Sequence, residues 1–201
     1  MNYAETLVGL PYRWFEVEVD KFEGHDKFWC ENSPPPSANE IRVYDKSIVC
    51  TGFINLIRRH LNLSIPGTNG NIRGKYKELY KQFPGGTGAW FVYLHQNKRL
   101  KRINMKQRYP RGTLLLAKFV SHELDQGHVA IIYDDVDEYK NITHQQIIHA
   151  APYIDYNDRA SHKNHGSVRI EPFLISNDAW KQGKQSYYTH VCLPEDWLSS
   201  N

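Results

Sequence analysis

Five runs of β-branched and aromatic residues fill the second half of the chain, at 113–120, 128–133, 146–150, 168–174 and 188–193, each bounded by turn-forming residues. The helical signal comes earlier. From Cys50 to Leu61 the apolar residues Phe53, Ile54, Ile57 and Leu61 recur at helical spacing, while Asn55, Arg58, Arg59 and His60 take the other side. That predicts an amphipathic helix with Cys50 in its first turn, capped by Asp45 or Ser47 and ended by Ser64-Ile65-Pro66-Gly67. Helices first and strands later predict an α+β domain, its N-terminal helices packed on one face of a mainly antiparallel sheet.

The connections are read from their turn chemistry. Residues 3–10 form a short helical pattern stopped by Pro11, and Phe15 to Asp20 alternate apolar and acidic side chains at the strand period. Asn32-Ser33-Pro34-Pro35-Pro36-Ser37 is a polyproline-prone surface excursion. The glycine-rich stretch 67–74 is expected to be a mobile loop, and Lys75 to Gln82 a short, mostly exposed helix. Gly85-Gly86-Thr87-Gly88 lacks the Gly-Lys-Ser/Thr ending of a phosphate loop and is read as a turn, so no nucleotide site is expected.

A length of 201 residues suits one domain, expected to span 1–201. Twenty-five basic against 22 acidic residues give a net charge of only +3, which argues against dedicated nucleic-acid binding. No apolar run reaches the roughly 18 residues of a membrane span, and the N-terminus lacks a signal-peptide pattern. The expected location is the cytoplasm, or wherever a route without a signal peptide delivers the chain. Three cysteines, Cys30, Cys50 and Cys192, are too few and too odd in number for a disulfide framework.

Each thiol therefore needs its own reading. Cys50 opens a helix, where the positive end of the macrodipole favours a thiolate, whereas Cys30 lies in an irregular excursion and Cys192 mid-strand. A nucleophilic cysteine needs an imidazole to take its proton. Of ten histidines, His128 and His149 stand apart because both sit on apolar strands, in Gly127-His128-Val129-Ala130-Ile131 and Ile147-Ile148-His149-Ala150. If these strands form a hairpin with the two histidines opposite one another, both rings share a face and His149 can fix the tautomer of His128. His162 and His165 with Asp155 and Asp158 lack a zinc signature, so no metal is expected. The basic residues between Arg99 and Arg111 read as a solvated face.

Four segments in order carry a resemblance: Leu10-Pro11-Tyr12-Arg13-Trp14, Val49-Cys50-Thr51-Gly52-Phe53, Gly127-His128-Val129-Ala130-Ile131 and Ile148-His149-Ala150. Together they resemble the NlpC family of papain-like cysteine peptidases. The resemblance implies a papain-like fold and a thiol hydrolase that cleaves an amide or isopeptide bond in a peptide, peptidoglycan-like or acyl substrate through an acyl-thioester, without a cofactor. It assigns Cys50 as nucleophile, His128 as general base, His149 as the residue orienting it and Tyr12 as a neighbour of the thiol that helps orient it or hold the oxyanion. Thr51 stands where the family usually has Ser and is a candidate substrate-binding residue, while Val49 replaces the usual Asp, which weakens a specific claim on bacterial stem peptides. The insertion at about 15–48 and the expanded hairpin loop at about 134–145 are expected to shape specificity. The same triad would also serve acyl transfer or lipid-ester hydrolysis, and a non-catalytic binding or structural module would keep the fold without turnover.

Overall fold

The computed structural model describes residues 1–12, 39, 48–118, 127–134, 141–152, 166–182 and 188–199. The strand at 15–20, the polyproline excursion, Cys30 and nearly all of the 15–48 insertion lie outside the described residues, as do His162, His165 and part of the 134–145 loop. In chain order the helices are α1 (Asn2–Thr6), α2 (Cys50–His60), α3 (Lys77–Gln82), α4 (Thr87–Gln96), α5 (Phe173–Gln182) and α6 (Pro194–Trp197). The strands are β1 (Lys101–Arg102), β2 (Leu114–Lys118), β3 (Gly127–Ile132), β4 (Gln146–Pro152), β5 (Gly166–Pro172) and β6 (His190–Cys192). They form one sheet in the order β1-β6-β2-β3-β4-β5, every pairing antiparallel. The α+β expectation holds at this level. None of the described helices is long and apolar enough to cross a membrane.

Alternation along the strands builds two apolar layers. Leu114, Leu116, Val129, Ile131, Ile148 and Ala150 face α1, α2 and α4, where Phe53, Ile54, Trp90 and Tyr93 complete the larger core. Leu115, Ala117, Ala130, Ile132, Ile147 and Val191 face the other way, onto Tyr109, Ile142, Phe173 and Tyr188. Helices are thus not confined to one face, because α5 contributes Phe173 to the second layer. The expected strand 168–174 accordingly ends at Pro172, where the ring removes a ladder donor and helix α5 begins.

The register of β3 and β4 also differs from expectation. Ile131 pairs with Ile148 and Ile132 with Ile147, so His149 falls opposite Ala130 rather than His128. A shift of two residues preserves the alternation, and the two histidines keep a common face as diagonal neighbours.

Helix α2 is buried on more than its apolar stripe. Asn55, Arg58 and Arg59 are all buried, and residues of α4 and α6 pack against Asn55 and Arg58 on the side expected to meet solvent. Asn55 satisfies two groups there, donating Nδ2 to the Gly85 carbonyl at 3.1 Å and accepting the Trp90 indole N–H at 2.8 Å. Arg58 donates Nη1 to the Trp197 carbonyl, and its guanidinium carbon lies 5.7 Å from the ring centroids of both Trp90 and Tyr93. The N-cap of α2 is Val49, with no side-chain cap, in place of the expected Asp45 or Ser47.

The glycine-rich segments are similarly tied down. Asn71 accepts from Gly67 N at 2.7 Å and donates to the Ile65 carbonyl at 2.7 Å, bracing the 67–74 loop that composition marks as mobile. Gly86 caps α4, a helix absent from the sequence expectations.

Asn55→Ala strips a partner from the buried Trp90 indole and from the Gly85 carbonyl at once. Each orphaned group costs about 1–3 kcal/mol, so chemical denaturation is expected to show a loss of about 2–6 kcal/mol, with the midpoint falling at unchanged slope.

Candidate active site

The site begins where the chain lies along the outer edge of β5. Gly9 N donates to the Val168 carbonyl at 2.8 Å, Val168 N to the Leu10 carbonyl at 2.8 Å and Tyr12 N to the Gly166 carbonyl at 2.9 Å. Ile48 N then donates to the Pro11 carbonyl at 2.8 Å. These bonds join two segments distant in sequence and bring the entry to α2 against Tyr12.

Cys50 is the first residue of α2 and is only 4% exposed. With no side-chain cap and no acidic residue in the first turn, the positive end of the helix is left to act on whatever anion forms there. Burial pushes the Tyr12 phenol well above its usual range, Cys50 adds to the rise and Arg169 opposes it. Tyr12 therefore keeps its proton and remains a hydrogen-bond donor. Thr51 is buried beside Cys50 in the same turn.

His128 and His149 are both buried and meet through Nε2 and Nδ1 at 2.8 Å, the rings crossing at 76°. His149 Nε2 lies 2.9 Å from Glu171 Oε1, off the straight hydrogen-bonding line. Arg169 completes the row: its Nε donates to Glu171 Oε2 at 2.8 Å, and Nη1 and Nη2 donate to the Ala151 and Pro152 carbonyls at 2.7 and 3.1 Å. The β4–β5 register explains the grouping, since His149 pairs with Arg169 and Ile147 with Glu171, placing all three polar side chains on one face.

Burial lowers both imidazole pKa values from the usual 6.5; at His128 the neighbouring His149 and Arg169 deepen the drop, while at His149 Glu171 pulls the other way. Both rings are neutral at pH 7. Burial alone would raise the Glu171 carboxyl, but His149 and Arg169 outweigh it and hold the group at about 2. Tyr188 links this row to the thiol. Its ring centroid lies 6.0 Å from that of His128 and its hydroxyl meets Ser176 Oγ at 3.0 Å. Burial raises its phenol far above 10, Ser176 opposes the rise, and both Glu171 and Cys50 add to it.

Of the expected site residues, the structure brings His128 and His149 into contact and sets Cys50 close enough to Tyr12 and to Tyr188 to act on both phenols, with Cys50 and Tyr12 in the core layer that holds α2 and the histidines on the face shared with Tyr188. Glu171 and Arg169 escaped sequence reading because Val168-Arg169-Ile170-Glu171 has the alternation of a half-solvated strand. Only the pairing with β4 turns those charges inward. Cys192 is buried, and burial foremost pushes its thiol up to about 12. His60 stacks on Tyr3 at 4.1 Å and His190 sits edge-on to Phe91. Among the described residues no three His, Cys, Asp or Glu side chains cluster as a metal site would require. No protein-family model, curated protein or solved structure matches the chain.

The lowered pKa values fix the sign of an acid response. An unfolded histidine binds a proton near pH 6.5 and the buried rings do not, so stability is full above about 6.5 and falls as pH drops below it. Glu171 adds a second loss between its unfolded value of about 4.5 and about 2. Denaturant midpoints are expected to decline from pH 7 to pH 5, and a His128→Gln/His149→Gln double variant to flatten that slope.

Proposed function

We propose that the protein is a thiol hydrolase of the NlpC type, with a papain-like arrangement in which Cys50 attacks an amide or isopeptide carbonyl. The observation that carries this reading is the buried His128–His149 pair, hydrogen-bonded at 2.8 Å and packed beside Tyr188, whose phenol also feels the cysteine that opens helix α2. A pair of imidazoles in apolar strands is costly to bury without a task, and general-base catalysis is the task that suits it.

In the proposed reaction His128 Nδ1 takes the thiol proton and the Cys50 sulfur bonds to the carbonyl carbon. The carbonyl π electrons move to oxygen, where the Tyr12 hydroxyl and the Cys50 backbone N–H donate to the oxyanion. Collapse of this intermediate expels the amine, which leaves with the proton from His128, and an acyl-thioester remains. Water then loses a proton to His128 and attacks the thioester carbonyl. The acid departs, and the proton returns to the sulfur. His149 keeps the His128 ring oriented throughout.

Peptide and peptidoglycan-fragment substrates, scanned for amide cleavage, test the assignment with Cys50→Ala and His128→Ala. Each is expected to reduce turnover by about 10³-fold or more, and undiminished turnover in Cys50→Ala would sink the reading. Iodoacetamide at pH 7 should label Cys50 ahead of Cys192, whose thiol stays protonated. His128→Ala should slow the labelling of Cys50.

A further inference from the structure

The contact between His149 and Glu171 has a consequence for the hydrogen-bond direction in the histidine pair. Glu171 is ionised at neutral pH and its Oε1 stands 2.9 Å from His149 Nε2. Even off the straight line, a ring-nitrogen lone pair 2.9 Å from an anionic oxygen would be repelled, so Nε2 carries the hydrogen. A neutral imidazole has one N–H, and His149 Nδ1 is therefore an acceptor. Its partner at 2.8 Å, His128 Nε2, must donate. The lone pair of His128 is then left on Nδ1, the nitrogen a general base would use.

The opposite tautomer would put the His128 hydrogen on Nδ1 and leave no site there for the thiol proton. What holds the carboxylate in place is Arg169, whose three bonds tie Glu171 to the last carbonyls of β4. Among the described residues, the other titratable groups near the pair are Tyr188, backed by Ser176 of α5, and, beyond it, Tyr12 and Cys50.

The geometry points to Glu171, braced by Arg169, as a positioning residue that sets the tautomers of His149 and His128 and supports positive charge on the pair when His128 accepts a proton. This rests on the thiol-hydrolase reading for its consequence, though the tautomers themselves are measurable without it.

Two-bond ¹⁵N–¹H correlation spectra of the ¹⁵N-labelled protein at pH 7.5 are expected to show hydrogen on Nε2 of both His149 and His128. Hydrogen on Nδ1 of His149 overturns the inference with no variant required. In Glu171→Gln the carbamidomethylation rate of Cys50 by iodoacetamide should fall about tenfold at pH 6.5, where reaction depends on the thiolate–imidazolium pair, and converge to within about twofold at pH 9.5, where the thiol ionises directly. Glu171→Asp should recover part of the loss at pH 6.5. An equal loss at both pH values would mark Glu171 as merely structural and overturn the positioning role. Should wild-type Cys50 react no faster than Cys192, the thiol-hydrolase reading fails, while the tautomer assignment stands or falls on the spectra alone.

Discussion

Two imidazole rings are buried within this sheet, and neither can be left without a partner, since an unsatisfied polar group in such surroundings costs about 1–3 kcal/mol. Each ring nitrogen at the contact is answered by the other ring, the outer nitrogen of His149 by Glu171, and Glu171 by Arg169. The row ends on two backbone carbonyls of β4, which are part of the sheet itself. Register and polar satisfaction are therefore one constraint: slipping β5 by a single residue would turn Arg169 and Glu171 to the opposite face and take the carboxylate away from the outer nitrogen of His149. Side-chain networks of this kind specify one arrangement of strands more sharply than apolar packing does.

The thiol is held by a different set of restraints. Helix α2 packs on the sheet and is tied to the start of α4 and to α6, with Asn55 and Arg58 as its polar fasteners. At the start of β3, Gly127 leaves no room for a side chain against Thr87 and the Ala117 carbonyl, so the strand that carries His128 sits tight against the first turn of α4. Both the cysteine and the histidine thus project from regular, packed elements rather than from loops, the condition under which two reacting groups hold their separation.

Much of this was legible in the chain. The spacing of Phe53, Ile54 and Ile57 marks α2, and the five β-branched runs correspond to β2 through β6 within a few residues. His128 and His149 stand out because histidine is rare amid runs such as Val129-Ala130-Ile131. Helix α4 was hidden because Ala89, Trp90, Phe91, Val92, Tyr93 and Leu94 are apolar on every side, leaving no periodic contrast to read. The two-residue register offset and the inward turn of Arg169 and Glu171 depend on which strand lies beside which, and local patterns carry no such information. The burial of Arg58 likewise follows from the placement of α4 and α6, not from the helix's own sequence.

The two borders of the sheet are unlike its middle. On one side β1 is only two residues long, Lys101 and Arg102, both solvent-exposed and cationic. On the other, the 9–12 segment already occupies the hydrogen-bonding groups of Gly166 and Val168 in the first half of β5. Among the described residues the sheet consequently offers no long bare rim for a foreign strand to join, which guards against edge-to-edge aggregation. Among the described residues, an extended polypeptide would therefore find little sheet edge onto which it could be knitted as another strand.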